Sequence, residues 1–318
     1  AYLPVMLKGM EIQPQKPFNF NFFVDTGDTS FKEKELTDES QRLIKYFLAS
    51  LTIPEADLWV NLSPYEKERI IPDEFGRTEM GRDLLGQDYM LKQLTASLTY
   101  PETDLGKTFW DKVKKEAFER FGTKEIPLNT FNKVWIVPDD PIVYQKGDQA
   151  FVVESRLKVM LEKDYVALKN AKNATAPVTQ EKAKEINDVS ADVVRKIILP
   201  AIEKEVNEGK NFAQLRQIQN ALVLAVWYKK TLKQSFLYQV YANQQKTKGI
   251  DLNDPKVNQE IYEQYLKGFK QGVYSYIKED FDAATQETIP RKYFSGGYNT
   301  DHLEQREKIV GSPAEMPL

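Results

Sequence analysis

The sequence predicts an α+β fold, mainly α: a compact multi-helix body with an N-terminal strand and a small antiparallel β-meander. Three observations carry this expectation. Apolar residues recur at three- and four-residue spacing through most of the chain, one early segment alternates with period two, and one central stretch is cut into short β-rich runs by turn dipeptides. A chain of 318 residues can bury one large core or two moderate ones, and a 41% apolar fraction with near-balanced charge is a globular composition rather than a disordered one.

The elements follow in order. Phe18, Phe20 and Phe22 alternate with asparagines up to Val24, and Asp25-Thr26-Gly27-Asp28 then supplies turn residues, so this segment reads as a strand ending in a turn. From Thr37, a candidate N-cap, Leu43, Ile44, Phe47, Leu48 and Leu51 share one helical face up to Pro54. Pro64 opens a short helix, since proline loses nothing at a first helical position. Met80, Leu84, Leu91, Leu94 and Leu98 mark a longer helix ending before Pro101. Trp110, Val113, Ala117 and Phe121 mark another that stops at Gly122.

Across 131–153 the pattern turns to β. Val134 to Val137, Ile142 to Tyr144 and Phe151 to Val153 are separated by Pro138-Asp139-Asp140-Pro141 and Gly147-Asp148, which reads as a three-run antiparallel meander. Leu157, Met160 and Leu161 then resume a helical period, and 170–179 is the expected exposed loop. Ile186 to Val206 is helical with a break at Pro200. Asn211 with Gln214 resembles a capping box ahead of a central buried helix carrying Leu215, Ile218, Leu222 and Trp227. Asp254-Pro255 caps a last amphipathic helix. Residues 1–297 are thus expected as a single, mainly helical domain, and 298–318 as a polar, flexible tail.

Composition narrows the chemistry. With no cysteine there is no disulfide framework, thiolate metal site or cysteine nucleophile, and with His302 as the one histidine most metal triads and Ser-His-Asp arrangements are excluded. The 44 basic and 47 acidic residues are interspersed, which leaves no field suited to nucleic acid. The longest apolar run, ending at Tyr228, is far shorter than the ~20 residues of a membrane span. No cofactor or metal site is expected.

The most suggestive chemical motif is Phe23-Val24-Asp25-Thr26-Gly27, which looks like the elbow of an aspartic protease. Such enzymes need two carboxylates sharing one proton. This chain has one Asp-Thr-Gly, and Asp25 is better read as a turn residue than as a catalytic acid. Ser155 with Lys158 could mimic a Ser-Lys pair. A carboxylate pair held ~5–10 Å apart could cleave a glycoside without histidine or cysteine. The stretch from Glu205 to Gln217 reads as a tight helix–helix joint at Gly209, with Arg216 paired to Glu205 or Glu208 and Asn207 beside them, either a structural joint or an interaction site.

Several longer segments carry a resemblance. Tyr65 to Pro72, Leu84 to Gln93, Asn129 to Pro138, Asn207 to Gln217 and Arg291 to Gly297 together resemble an uncharacterised family of exported bacterial proteins with no assigned activity. The resemblance spans roughly residues 3–297. It implies a periplasmic or extracellular location, with which the mature-like start Ala1-Tyr2-Leu3-Pro4 agrees, and it transfers no functional residue. The expectation is an exported, non-enzymatic binding or assembly module, partnered by itself, another exported protein or a glycan. The alternatives are a carboxylate-based glycan hydrolase and, third, an aspartic-type hydrolase at Asp25.

Overall fold

The structure, a computed structural model, describes residues 1–13, 16–61, 70–100, 102–122, 134–161, 164, 191–233, 279–282, 287–290, 296–299 and 307–311. They form an α+β fold that is mainly α. The short helix at Pro64, the 170–179 loop and the helix after Pro255 lie outside the described residues.

The N-terminus supplies two strands instead of one. β1 (Met6–Gln13) and β2 (Lys16–Asp25) pair antiparallel, with Met6 opposite Asp25 and Ile12 opposite Phe20. Leu7, Met10 and Ile12 are buried from β1, while Phe20, Phe22 and Val24 of β2 pack against the same core. β2 is the edge strand, and β1 lies inside the sheet.

The expected meander is a two-strand hairpin. β4 (Val134–Lys146) runs through the predicted Pro138-to-Pro141 turn and pairs with β5 (Gln149–Leu161) around Gly147-Asp148. Gly147 adopts φ +59°, which suits the first position of a two-residue hairpin turn. The Asp-Pro pair makes a bulge. Register slips between Asp139 and Ile142, Asp140 sits at φ +37°, and Pro141 has no N–H to offer a ladder. The helix predicted from Leu157 is the second half of β5: Leu157, Val159 and Leu161 are buried and alternate with Arg156, Lys158 and Met160. Those apolar residues satisfy both periods, and pairing with β4 decides between them.

The sheet runs β2-β1-β5-β4-β8-β3, where β3 is Trp59–Asn61 and β8 is Gly296–Asn299. β9 (Lys308–Val310) also lies beside β4, and both β8 and β9 are parallel to it. Part of 298–318 is therefore sheet rather than loose tail. β6 (Glu279–Asp282) and β7 (Glu287–Pro290) form a separate antiparallel pair.

Helices cover the sheet. α1 (Glu33–Thr52) starts a turn before the expected Thr37 cap, with Glu33 and Glu35 at the positive end of its dipole and Glu35 accepting the Lys32 N–H at 2.9 Å. After the single turn α2 (Asp73–Gly76), α3 (Glu79–Leu98) and α4 (Asp104–Phe121) begin where Thr78 and Thr103 each accept a backbone N–H at 3.0 Å. Gly122 ends α4 at φ +70°, as its sequence position predicts. The break near Pro200 is a π-helical turn, Val194–Ile198, that feeds α5 (Leu199–Glu208). α6 (Ala213–Lys233) is the central helix, packed against α1, β1 and β5 with Leu215, Ile218, Leu222 and Trp227 all buried.

Candidate functional site

The α5–α6 joint is built from side chains that bind backbone. Gly209 ends α5 by turning to extended backbone, with the Glu205 carboxylate lying where a Cβ would stand, and a single 3₁₀ turn, Lys210–Phe212, leads into α6. Asn211 is not the cap its sequence position predicts. Gln87 of α3 holds the start of α6 instead, accepting the Leu215 N–H at 3.2 Å. Arg216 is 7% exposed and reaches backwards. Its Nη1 donates to the Val206 and Gly209 carbonyls at 2.8 and 2.9 Å, and its Nη2 donates to the Tyr2 carbonyl at 2.9 Å. The two Nη1 bonds close carbonyls at the negative end of α5, and the Nη2 bond ties the N-terminal segment to it. The expected ion pair with Glu205 or Glu208 gives way to this carbonyl clamp. Burial lowers the Arg216 pKa, and the nearby Glu205 charge works against that lowering. Glu208 contributes its backbone, accepting the Tyr2 N–H at 2.8 Å.

Asn207 faces the sheet. Its amide donates to the Leu157 carbonyl at 2.8 Å and accepts the Leu157 N–H at 3.0 Å, which reproduces one rung of a β-ladder. Glu203, one turn earlier, accepts the Val159 N–H at 3.0 Å. β1 pairs with β5 only through Gln149, Ala150 and Phe151, so α5 closes the part of the β5 edge that β1 leaves.

Asp25 ends β2 and is exposed. Its Oδ1 accepts the Gly27 N–H at 3.0 Å, and among the described residues it hydrogen-bonds no second carboxylate. Gly27 is at φ +54°, where a Cβ would come within 2.2 Å of the Leu3 carbonyl oxygen. Asp28 exchanges two bonds with Leu3, accepting its N–H at 2.8 Å and donating to its carbonyl at 2.7 Å. This turn and the joint thus hold opposite sides of the N-terminal segment.

Between them lies a pocket of about 310 Å³, with α1 on its third side. Glu39 and Arg42 enter from α1, one helical turn apart and joined at 2.5 Å. Gln217 of α6 ties the walls together. Its Nε2 donates to Glu39 at 2.7 Å and to the Val5 carbonyl at 2.8 Å, while its Oε1 accepts from Arg42 at 3.2 Å. Lys210 sits at the rim over the Tyr2 ring, 5.6 Å from its centroid. Behind the pocket, Tyr46 donates to Asp83 at 2.5 Å and accepts from Gln214 at 3.2 Å. Burial first, and the Asp83 charge second, raise the Tyr46 pKa. Burial also raises that of Asp83, against the hydrogen bond from Tyr46 and the charge of Arg42.

The predicted residues take different parts. Asn207, Arg216 and the Glu208 backbone brace the segments around the pocket without lining it, and Asp25 holds the turn that leads to Thr29 and Phe31 on its wall. Glu39, Arg42 and Gln87 escape sequence reasoning, because spacing on an amphipathic helix marks them as a solvated face. Ser155 and Lys158 stand three apart on β5 and so on opposite faces, which rules out a dyad. Among the described residues no group of three or more His, Cys, Asp or Glu side chains gathers to hold a metal ion, and no helix is long and apolar enough to cross a membrane.

No family model, curated protein or solved structure matches this chain. The pocket is therefore read from its own chemistry.

Proposed function

We propose that this chain is an exported, non-catalytic binding module whose ligand seat is the pocket between the N-terminal segment, α1 and the α5–α6 joint. One observation supports binding over hydrolysis. Glu39 is the one carboxylate among the described residues lining the pocket, and it is engaged by both Arg42 and Gln217. A glycosidase needs a second acid facing the first across the substrate, and an acid free to protonate or attack. The walls are also held in place before any ligand arrives, since Gln217, Gln87 and Arg216 each bridge separate segments. Export rests on the sequence resemblance, and fractionation of the native host checks it.

The test of the binding reading pairs the natural chain with Ala213→Trp, which fills the pocket. Compounds that raise the melting temperature of the natural chain should leave the variant unmoved, and native mass spectrometry should show the same difference in bound mass. Steady release of product from a glycan, lost in Glu39→Gln, would instead make this a hydrolase.

A further inference from the structure

We infer that the pocket takes a neutral sugar ring, one or two units at the end of a glycan, an inference that rests on the binding-module reading above. Its walls have mixed polarity. Arg42 and Lys210 donate, Glu39 accepts, the side-chain amides of Asn211 and Gln214 can do both, and Gln217, whose two N–H groups are taken by Glu39 and Val5, can still accept. A ligand made of hydroxyls, each a donor and an acceptor at once, matches such a wall.

Charge argues against an anion. The Arg42 guanidinium is already met by Glu39 in contact, and Asp83 acts on it from behind. That leaves Lys210 at the solvated rim, where its field is weak. A carboxylate or phosphate entering the pocket would meet Glu39 and gain little from Arg42. Donor capacity is still on offer, because both hydrogen bonds of the Arg42 guanidinium, to Glu39 and to Gln217, leave from Nη2.

Shape and surface point the same way. The volume of about 310 Å³ lies at the low end of the ~300–1,000 Å³ usual for ligand pockets, which suits a ring rather than an extended chain. Phe31, 44% exposed on the pocket wall, gives the apolar face of a sugar a platform. An extended peptide would seek a free strand edge or backbone. Here the Tyr2 and Val5 carbonyls are already taken by Arg216 and Gln217.

The experiment is ligand-observed saturation-transfer NMR with titration on the full chain, using D-glucose, D-galactose and N-acetyl-D-glucosamine, with D-glucuronate and triglycine as contrasts. The expected result is saturable binding of at least one neutral sugar. Phe31→Ala should weaken it about threefold or more and Arg42→Gln about tenfold, both with unchanged far-UV circular dichroism, and Ala213→Trp should abolish it. Phe31 is exposed, so that variant keeps the test valid even if Arg42→Gln folds poorly. Binding of glucuronate or triglycine without any neutral sugar overturns the sugar class while keeping the pocket as a ligand seat. Silence from every probe, or a sugar bound equally well by Ala213→Trp, also overturns it. Turnover of a glycan would overturn the binding reading itself.

Discussion

Replacing Arg216 with methionine isolates the carbonyl clamp, because methionine keeps most of the apolar stem and removes the guanidinium. Three charge-assisted bonds disappear, to Val206, Gly209 and Tyr2. A hydrogen bond from a charged group contributes ~1.5–3 kcal/mol where water cannot replace it and well under half of that where it can. The Val206 bond is buried and the other two are partly open, so one full contribution and two reduced ones apply. The relief of no longer burying a charge offsets some of the loss, which leaves a net destabilisation of roughly 2–4 kcal/mol. At no more than the ~2–4 °C per kcal/mol of chains of 150–250 residues, the melting temperature should fall by roughly 4–16 °C at most. Arg216→Lys should lie between, since an ammonium cannot span three carbonyls with the geometry of a planar fork. Thermal unfolding followed by circular dichroism and tryptophan fluorescence reads both. A methionine variant within ~0.5 kcal/mol of the natural chain would show that the clamp contributes nothing and that the joint is held by apolar packing alone.

Asn207→Leu removes the ladder-like rung on Leu157, and the amide hydrogen of Leu157 should exchange at least tenfold faster while exchange at the β4–β5 turn stays unchanged; uniform rates would deny α5 its role at the sheet edge. Asp25→Asn keeps an oxygen for the Gly27 N–H and should shift stability by less than ~0.5 kcal/mol, whereas Gly27→Ala must move the Leu3 carbonyl and should cost clearly more in the same urea titration. Asp83 has a raised pKa because of burial, so the native state holds its proton to higher pH than the unfolded chain does. Its contribution is complete below the ordinary aspartate value of ~4 and is lost as pH rises through the raised value, so stability should decline across that window. Asp83→Asn should flatten the decline, and an unchanged slope would place its origin elsewhere.

Much of the helical part was legible because its signals are local. Gly122 carries cap chemistry within one turn of where it acts, and the apolar run of α6 marks a buried helix without reference to any partner. β1 was not legible as a strand. Its buried apolar side chains fall at Leu7, Met10 and Ile12, a spacing of three and then two, because the register with β2 slips between Leu7 and Gly9. Alternation is the signal a sequence offers for a strand, and a bulge breaks it. The same effect divided β4 at Asp140, where turn residues serve to bend a strand that continues. Beyond the bulge, Leu157, Met160 and Leu161 fit a helix as well as a strand until the pairing with Val134, Trp135 and Pro138 is known.

The site was harder to read for a related reason. Glu39 and Arg42 form a stripe on α1 that continues one turn on to Tyr46, and on an isolated helix such a stripe faces water. Here it faces Gln214 and Gln217 on α6, a helix 175 residues away at the Arg42–Gln217 contact. Gln217 in turn spends one amide on Val5, Glu39 and Arg42 together, so the N-terminal segment, α1 and α6 share a single polar knot. The joint residues that did stand out in sequence, Asn207 and Arg216, bind backbone and leave their neighbours free to shape the cavity. A polar residue distinctive enough to notice in one dimension is here one that holds two segments at a fixed distance. The residues of the proposed ligand seat are ordinary ones, brought together by that fixed distance.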